Sequence, residues 1–188
     1  MPWGDYGSIL LTGMTGHQPR KDGLLQLERT GPFAPPIAHS WPGFVVTDEF
    51  RKKLENSGLT GFSFKPVIKK HIVRLEWEKW DKNAPDPEFY PEEGEPENYI
   101  LELPHSPELA EEMEDFWELC TEERADVERV EDPKAMFGVE IYVLLSTWDG
   151  TDFFSARTVG YVYVSEKAKN WLEREASEWL EFEEAYTK

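Results

Sequence analysis

Carboxylates are the side chains of this 188-residue chain best suited to chemistry, and most of them lie in one region. Residues 76–131 contain 21 acids and 4 bases, so this region carries −17 of the chain's net charge of −18. Two carboxyl groups held at a defined separation beside aromatic rings can hydrolyse a glycosidic bond. The candidates for such a hydrolase are Trp77, Trp80, Asp81, Glu88 and Tyr90. Because acids are so abundant here, the same arrangement arises readily by chance, and we expect a protein that is not an enzyme.

The same region has the composition of a protein-binding surface, with aromatic anchors among charges that steer a partner of opposite sign. An excess of negative charge opposes binding to nucleic acids and to anionic membranes, so the expected partner is a basic protein domain. A solvated acidic face and a general interaction module remain open as alternatives. The predicted partner-binding residues are Trp80, Asp81, Asp86, Glu88, Tyr90, Glu92, Glu93, Glu95 and Glu97.

The sequence contains no motif typical of a metal site or a cofactor site. None of the four histidines forms a pair with metal-ligand spacing on a helix, and the single cysteine, Cys120, cannot build a Cys-rich zinc site. There is no Gly-rich phosphate loop. His71 falls on the apolar face of a predicted strand, which is typical of a satisfied core histidine. We therefore expect no metal and no cofactor.

The elements that must position these residues are organised around residues 44–64, FVVTDEFRKKLENSGLTGFSF. This stretch predicts a strand, a helix capped by Thr47 and ended by Gly58, and a second strand with alternating phenylalanines. Residues 162–182 follow the same pattern, with Ser165 as the cap and an outgoing strand at residues 180–182. We interpret the two stretches as a degenerate internal repeat.

The rest of the chain predicts further strands and one more helix. Residues 67–80 alternate as a strand does, and the proline-rich segment 81–99 is irregular. Ser106 and Pro107 predict the start of a helix that runs to about Val130 and exposes Glu118, and residues 138–147 predict a strand buried on both faces. The expected fold is a single α+β domain over residues 1–188, with a mixed or antiparallel sheet, about three helices and an acidic loop and helix insertion at 81–131.

No basic segment followed by an apolar core begins the sequence, and no apolar run is long enough to cross a bilayer. A signal peptide and a membrane span are therefore not expected. The sequence favours a cytoplasmic protein, and it leaves the oligomeric state open.

Three motifs together resemble a family of uncharacterised bacterial proteins grouped with the immunity proteins of polymorphic toxin systems. They are LERTGPFAPPI, FVVTDEFRKKLENSGLTGFSFKPV and WDGTDFFSARTVGYVYVSEKAKNWLE, and they cover about half of the chain. One related group carries paired CxxC elements, which are absent here, so the resemblance implies no zinc site.

The resemblance implies a small, acidic, cytosolic protein without catalytic residues that neutralises a cognate toxin by binding it. The partner would be a basic toxin domain, for example a nuclease whose nucleic-acid cleft the acids occupy in place of phosphates.

Overall fold

The protein has an α+β fold in a computed structural model that describes residues 19–30, 34–40, 43–74, 103–135 and 138–188. Three α-helices and twelve strands lie in these residues, which confirms the expected fold class. The helices are α1 (Asp48–Glu55), α2 (Pro107–Glu112) and α3 (Glu166–Ala176). The strands are β1 (Gln26–Thr30), β2 (Ile37–Ser40), β3 (Gly43–Thr47), β4 (Phe62–Pro66), β5 (Ile68–Val73), β6 (Phe116–Thr121), β7 (Glu123–Ala125), β8 (Val127–Glu131), β9 (Val139–Val143), β10 (Phe153–Ala156), β11 (Val162–Val164) and β12 (Tyr186–Thr187).

The described strands form four small sheets of mixed direction. Their strand orders are β1-β5, β2-β3-β6-β4, β11-β10-β7 and β12-β9-β8. β1 pairs with β5 in parallel, whereas β2 and β3, β8 and β9, and β10 and β11 form antiparallel pairs. β7 pairs in parallel with β10, and β12 pairs in parallel with β9.

The chain divides into two compact units. The first unit contains Met1–Arg51 and Phe64–Glu118, and the second contains Lys52–Ser63 and Leu119–Lys188, so the chain passes between them within α1, β4 and β6. Each unit has a buried apolar cluster of its own. The cluster of the first unit contains Leu25, Leu27, Val45, Ile72, Leu109, Met113 and Phe116. The cluster of the second unit contains Ala125, Val143, Phe154 and Ala156.

Helices α1 and α3 begin at the capping residues that the sequence predicts. The Thr47 hydroxyl accepts a hydrogen bond from the Phe50 amide at 3.3 Å, and the Ser165 hydroxyl accepts one from the Ala168 amide at 3.2 Å. Each cap satisfies an amide that the first helical turn leaves without a partner. After α1, Gly58 adopts a φ of +72°, the left-handed conformation expected of a residue that ends a helix.

The predicted helix from Pro107 to about Val130 is wrong beyond its second turn. α2 ends at Glu112, Met113 has an extended backbone, and residues 116–131 form β6, β7 and β8. Pairing of residues 116–131 in sheets outweighs the helical spacing of their apolar side chains. An isolated helix has little stability of its own, so tertiary packing decides which structure forms. Glu118, expected on the exposed face of that helix, is buried in β6, where Arg20 donates to its two carboxylate oxygens at 2.7 and 2.5 Å.

Two further expectations about strands are wrong. Residues 180–182 form no strand, since α3 is followed by a short 3-10 helix, Ser177–Trp179, and an irregular segment. β9 is the central strand of its sheet, but only Val143 is buried and the other four residues are half-buried. A three-stranded sheet this narrow leaves one of its faces partly open to water.

A buried carboxylate organises the second unit. Asp152 accepts hydrogen bonds from the Thr60 amide at 2.9 Å, the Thr60 hydroxyl at 3.1 Å, the Ser165 hydroxyl at 2.8 Å and the Lys167 ammonium at 3.2 Å. These bonds connect the GLTG segment after α1, the residue before β10 and the N-terminal end of α3. The adjacent Gly61 lies with a φ of +90° directly against the backbone of Phe153.

Candidate interaction site

Helix α2 is built so that one side faces the core of the first unit and the other faces solvent. The Ser106 hydroxyl caps the helix by accepting from the Leu109 amide at 3.3 Å, and Pro107 occupies the first turn, where no amide partner is needed. Leu109 and Met113 are buried in the apolar cluster of this unit. The remaining side of the helix is therefore free to carry charge.

Five exposed acids occupy this outer side and the turn that follows it: Glu108, Glu111, Glu112, Glu114 and Asp115. Lys69 contacts one end of this group, with its ammonium 3.6 Å from a carboxylate oxygen of Asp115 and 2.9 Å from the carbonyl oxygen of Met113. Among the described residues, no cation lies within ion-pair distance of Glu108, Glu111 or Glu112. We call these five residues the acidic patch, and three of its carboxylates are not neutralised by that part of the protein.

The residues on either side of the predicted binding segment are held together just before α2. The Ser106 amide donates to the Ile72 carbonyl oxygen at 2.7 Å, and the Ile72 amide donates to Nδ1 of His105 at 3.0 Å. Nε2 of His71 lies 2.8 Å from the carbonyl oxygen of Leu103. Residues 71–72 and 103–106 are therefore held together beside the start of the acidic patch.

These hydrogen bonds give the two histidines a structural role. A ring nitrogen that accepts from an amide carries no proton, and one that faces a carbonyl oxygen must donate, so Nδ1 of His105 is unprotonated and Nε2 of His71 is protonated. The other nitrogen of His71 lies 3.9 Å from a carboxylate oxygen of the buried Glu28. No group of three or more ligating side chains in the described ranges has the arrangement of a metal site.

The nine predicted partner-binding residues all lie outside the described residues, as do Trp77 and the rest of the hydrolase candidates. These residues remain predictions: Trp80, Asp81, Asp86, Glu88, Tyr90, Glu92, Glu93, Glu95 and Glu97. Trp117, a further aromatic of the acidic region, is described and packs within the first unit. Its indole nitrogen donates to Asp48 at 3.0 Å, and the Arg51 guanidinium lies 4.4 Å from the centre of its ring.

The described carboxyl groups with shifted pKa values are unsuited to a general acid. Hydrogen bonds from Thr151 lower the pKa of Asp149. Burial by itself would raise the pKa of Asp152, but hydrogen bonds from Ser165, Lys167 and Thr60 outweigh it and lower the pKa. The alternative function, a glycosidase with a carboxyl pair, needs one carboxyl with a raised pKa, and both of these pKa values are lowered.

Sequence reasoning missed the contacts that join distant parts of the chain. Glu28 and His71 are opposite each other only because β1 and β5 pair in parallel, and no local pattern signals that register. Burial in β1 also lowers the pKa of Arg29 to about 9. Alternating Leu25 and Leu27 indicate a strand, but nothing in them indicates that the charged residues beside them are buried too.

In the described parts of the chain, no helix combines the length and the apolar character needed to cross a membrane. Comparison with known protein families, with curated proteins and with solved structures found no match to this chain.

Proposed function

We propose that this chain is a non-enzymatic, cytoplasmic immunity-type protein that binds and neutralises a basic toxin domain. The observation that carries the proposal is the acidic patch on α2. Its Glu108, Glu111 and Glu112 are exposed, and no cation of the described ranges lies within ion-pair distance of them. The charge of the whole region supports it, since residues 76–131 carry a net −17. The proposal extends to the nine predicted residues between Trp80 and Glu97.

The patch suits the first step of such an interaction. Charges at the rim of an interface raise the rate of association with an oppositely charged partner, from roughly 10⁵–10⁶ to as much as 10⁸–10⁹ M⁻¹s⁻¹ at low salt. The carboxylates on α2 also resemble the phosphate oxygens that a nuclease cleft binds. A basic nuclease domain is therefore the partner that this arrangement favours most.

The test uses the triple variant Glu108→Gln, Glu111→Gln and Glu112→Gln. The probe is the basic toxin domain that co-purifies with this chain from its native host. We expect the association rate in stopped-flow experiments to fall by about tenfold at low salt, with a smaller dependence on ionic strength. The reason is that three charges are removed while the size and hydrogen-bonding capacity of each side chain are nearly kept.

A matched control removes three exposed acids from the second unit, by Glu173→Gln, Glu178→Gln and Glu181→Gln. This variant has the same net charge as the test variant, so a general effect of net charge slows both equally. The steering role is wrong if the two variants associate at the same rate. The immunity function itself is wrong if co-expression of the unmodified chain leaves cells sensitive to the toxin domain.

A further inference from the structure

The edge of β9 in the second unit is occupied by a short stretch of the chain's own residues. β12 pairs with β9 in parallel over only two residues, Tyr186 opposite Tyr142 and Thr187 opposite Val143. The Lys188 amide donates to the Val143 carbonyl oxygen at 3.0 Å, and the Leu145 amide donates to the Lys188 carbonyl oxygen at 2.9 Å. The pairing leaves the first three residues of β9, Val139, Glu140 and Ile141, outside the β12 ladder.

Aromatic and charged side chains make specific contacts across this short pairing. The rings of Tyr186 and Tyr142 lie 5.5 Å apart, centre to centre. The Lys188 ammonium lies 4.4 Å from the centre of the Tyr142 ring and 3.1 Å from a carboxylate oxygen of Glu128. The edge therefore recognises an aromatic residue followed, two positions later, by a cation.

Charge explains why the pairing stops at Tyr186. Continued in the same register, the strand would place Glu184 opposite Glu140 and Glu183 opposite Val139. Directly opposed like charges destabilise a sheet, and residues 180–185 form neither helix nor strand. Tyr186 itself is 57% exposed, so the bound stretch is held by few contacts.

We propose that the β9 edge is a binding site for an extended, basic segment of another protein, which displaces residues 186–188. The preferred segment has basic residues at the positions of Glu183 and Glu184, an aromatic residue at that of Tyr186 and a lysine or arginine at that of Lys188. Such a segment pairs with all five residues of β9 and places cations beside Glu140 and Glu128. This site lies in the second unit and does not depend on the acidic patch.

The first test compares two peptides added to the full-length chain, EEAYTK, which copies residues 183–188, and KKAYTK. We expect KKAYTK to bind at least tenfold more tightly by fluorescence anisotropy, and a scrambled peptide of the same composition to bind no better than EEAYTK. Equal binding of KKAYTK and its scrambled form would overturn the proposal, because it would show attraction to net charge alone.

Two substitutions in the protein test the backbone hydrogen bond from Leu145 and the charge of Glu128 separately. Leu145→Pro removes the amide that donates to the bound strand, at the first residue of the 3-10 helix Leu145–Thr147, where proline is accepted. We expect this variant to lose KKAYTK binding.

Glu128→Lys tests the charge contact. It should weaken the binding of KKAYTK and strengthen that of KKAYTE, a reversal that remains measurable if the proline variant does not fold. Unchanged affinities in the Glu128→Lys variant would contradict the proposed role of that side chain.

A change in the chain's own segment distinguishes a foreign strand from a second copy. The double variant Glu183→Lys and Glu184→Lys should extend β12 along β9 and lower the affinity for added KKAYTK at least tenfold. Sedimentation of the unmodified chain should show no dimer that depends on residues 186–188. A dimer that disappears in the Tyr186→Ala and Lys188→Ala variant would assign the edge to a second copy and overturn the proposal.

Discussion

Replacing Gly61 with alanine is expected to destabilise the second unit by roughly 2–5 kcal/mol. The left-handed backbone at φ +90° is costly for any residue with a side chain, by about 1–2 kcal/mol. A methyl group there would also lie 2.0 Å from the Phe153 carbonyl oxygen and 2.8 Å from Cβ of Thr151, and overpacking adds about 1–3 kcal/mol. The backbone cannot move away easily, because the Phe153 amide donates to the Thr60 carbonyl oxygen at 2.9 Å.

Gly58→Ala is the matched control for this prediction. Gly58 has a similar φ of +72°, but an added Cβ would meet no atom within 4 Å. Its cost should therefore be only the backbone cost of about 1–2 kcal/mol. Urea denaturation of the two variants measures the difference. If both lose the same stability, the close approach of residue 61 to Phe153 is not what requires glycine there.

Replacing Asp152 with alanine is expected to cost about 3 kcal/mol of folding free energy. The side chain is 6% exposed and accepts from Thr60, Ser165 and Lys167, so its removal leaves several donors without their acceptor. Ser165→Ala removes one of these bonds together with the cap on the Ala168 amide, and it should cost about 1 kcal/mol. Equal losses in the two variants would mean that the carboxylate does not organise this region.

The pH dependence of stability provides a separate test of Asp152. Its folded pKa lies below the unfolded value of about 3.9, so the carboxylate stabilises the fold above that pH. This contribution is lost as the pH falls through the lower, folded pKa. We therefore expect the stability difference between the unmodified chain and Asp152→Asn, measured by urea denaturation, to be constant from pH 7 to about 5 and to shrink below about 4. A difference that persists at low pH would contradict this assignment.

The local elements of the fold were predictable from the sequence. Thr47 and Ser165 cap helices whose apolar faces carry Leu54 and Leu172, and both of these leucines are buried. Each signal lies within a few residues of its effect, as capping and helical periodicity do. Gly58 was predictable for the same reason.

Contacts between distant residues were not predictable in this way. The apolar spacing after Pro107 fits a helix, but the chain turns at Met113 because β6 pairs within a sheet whose partners lie far away in sequence. Thr60 and Asp152 are 92 positions apart, and each looks like an ordinary turn residue in its own segment. Of the acidic surface, the part on α2 is described, while the part between Trp80 and Glu97 remains a prediction.

The second unit is built from two stretches that are far apart in the sequence, so it cannot fold completely until both have been synthesised. Lys52–Ser63 leaves the ribosome long before Leu119–Lys188. The hydrogen bond from the Thr60 amide to Asp152 therefore cannot form until the later stretch has been synthesised. At roughly 5–20 residues per second, translating the intervening 92 residues takes about 5–20 s. During that interval Phe62 has no Phe153 to pack against, so this edge-to-face ring contact can form only after most of the chain has been synthesised.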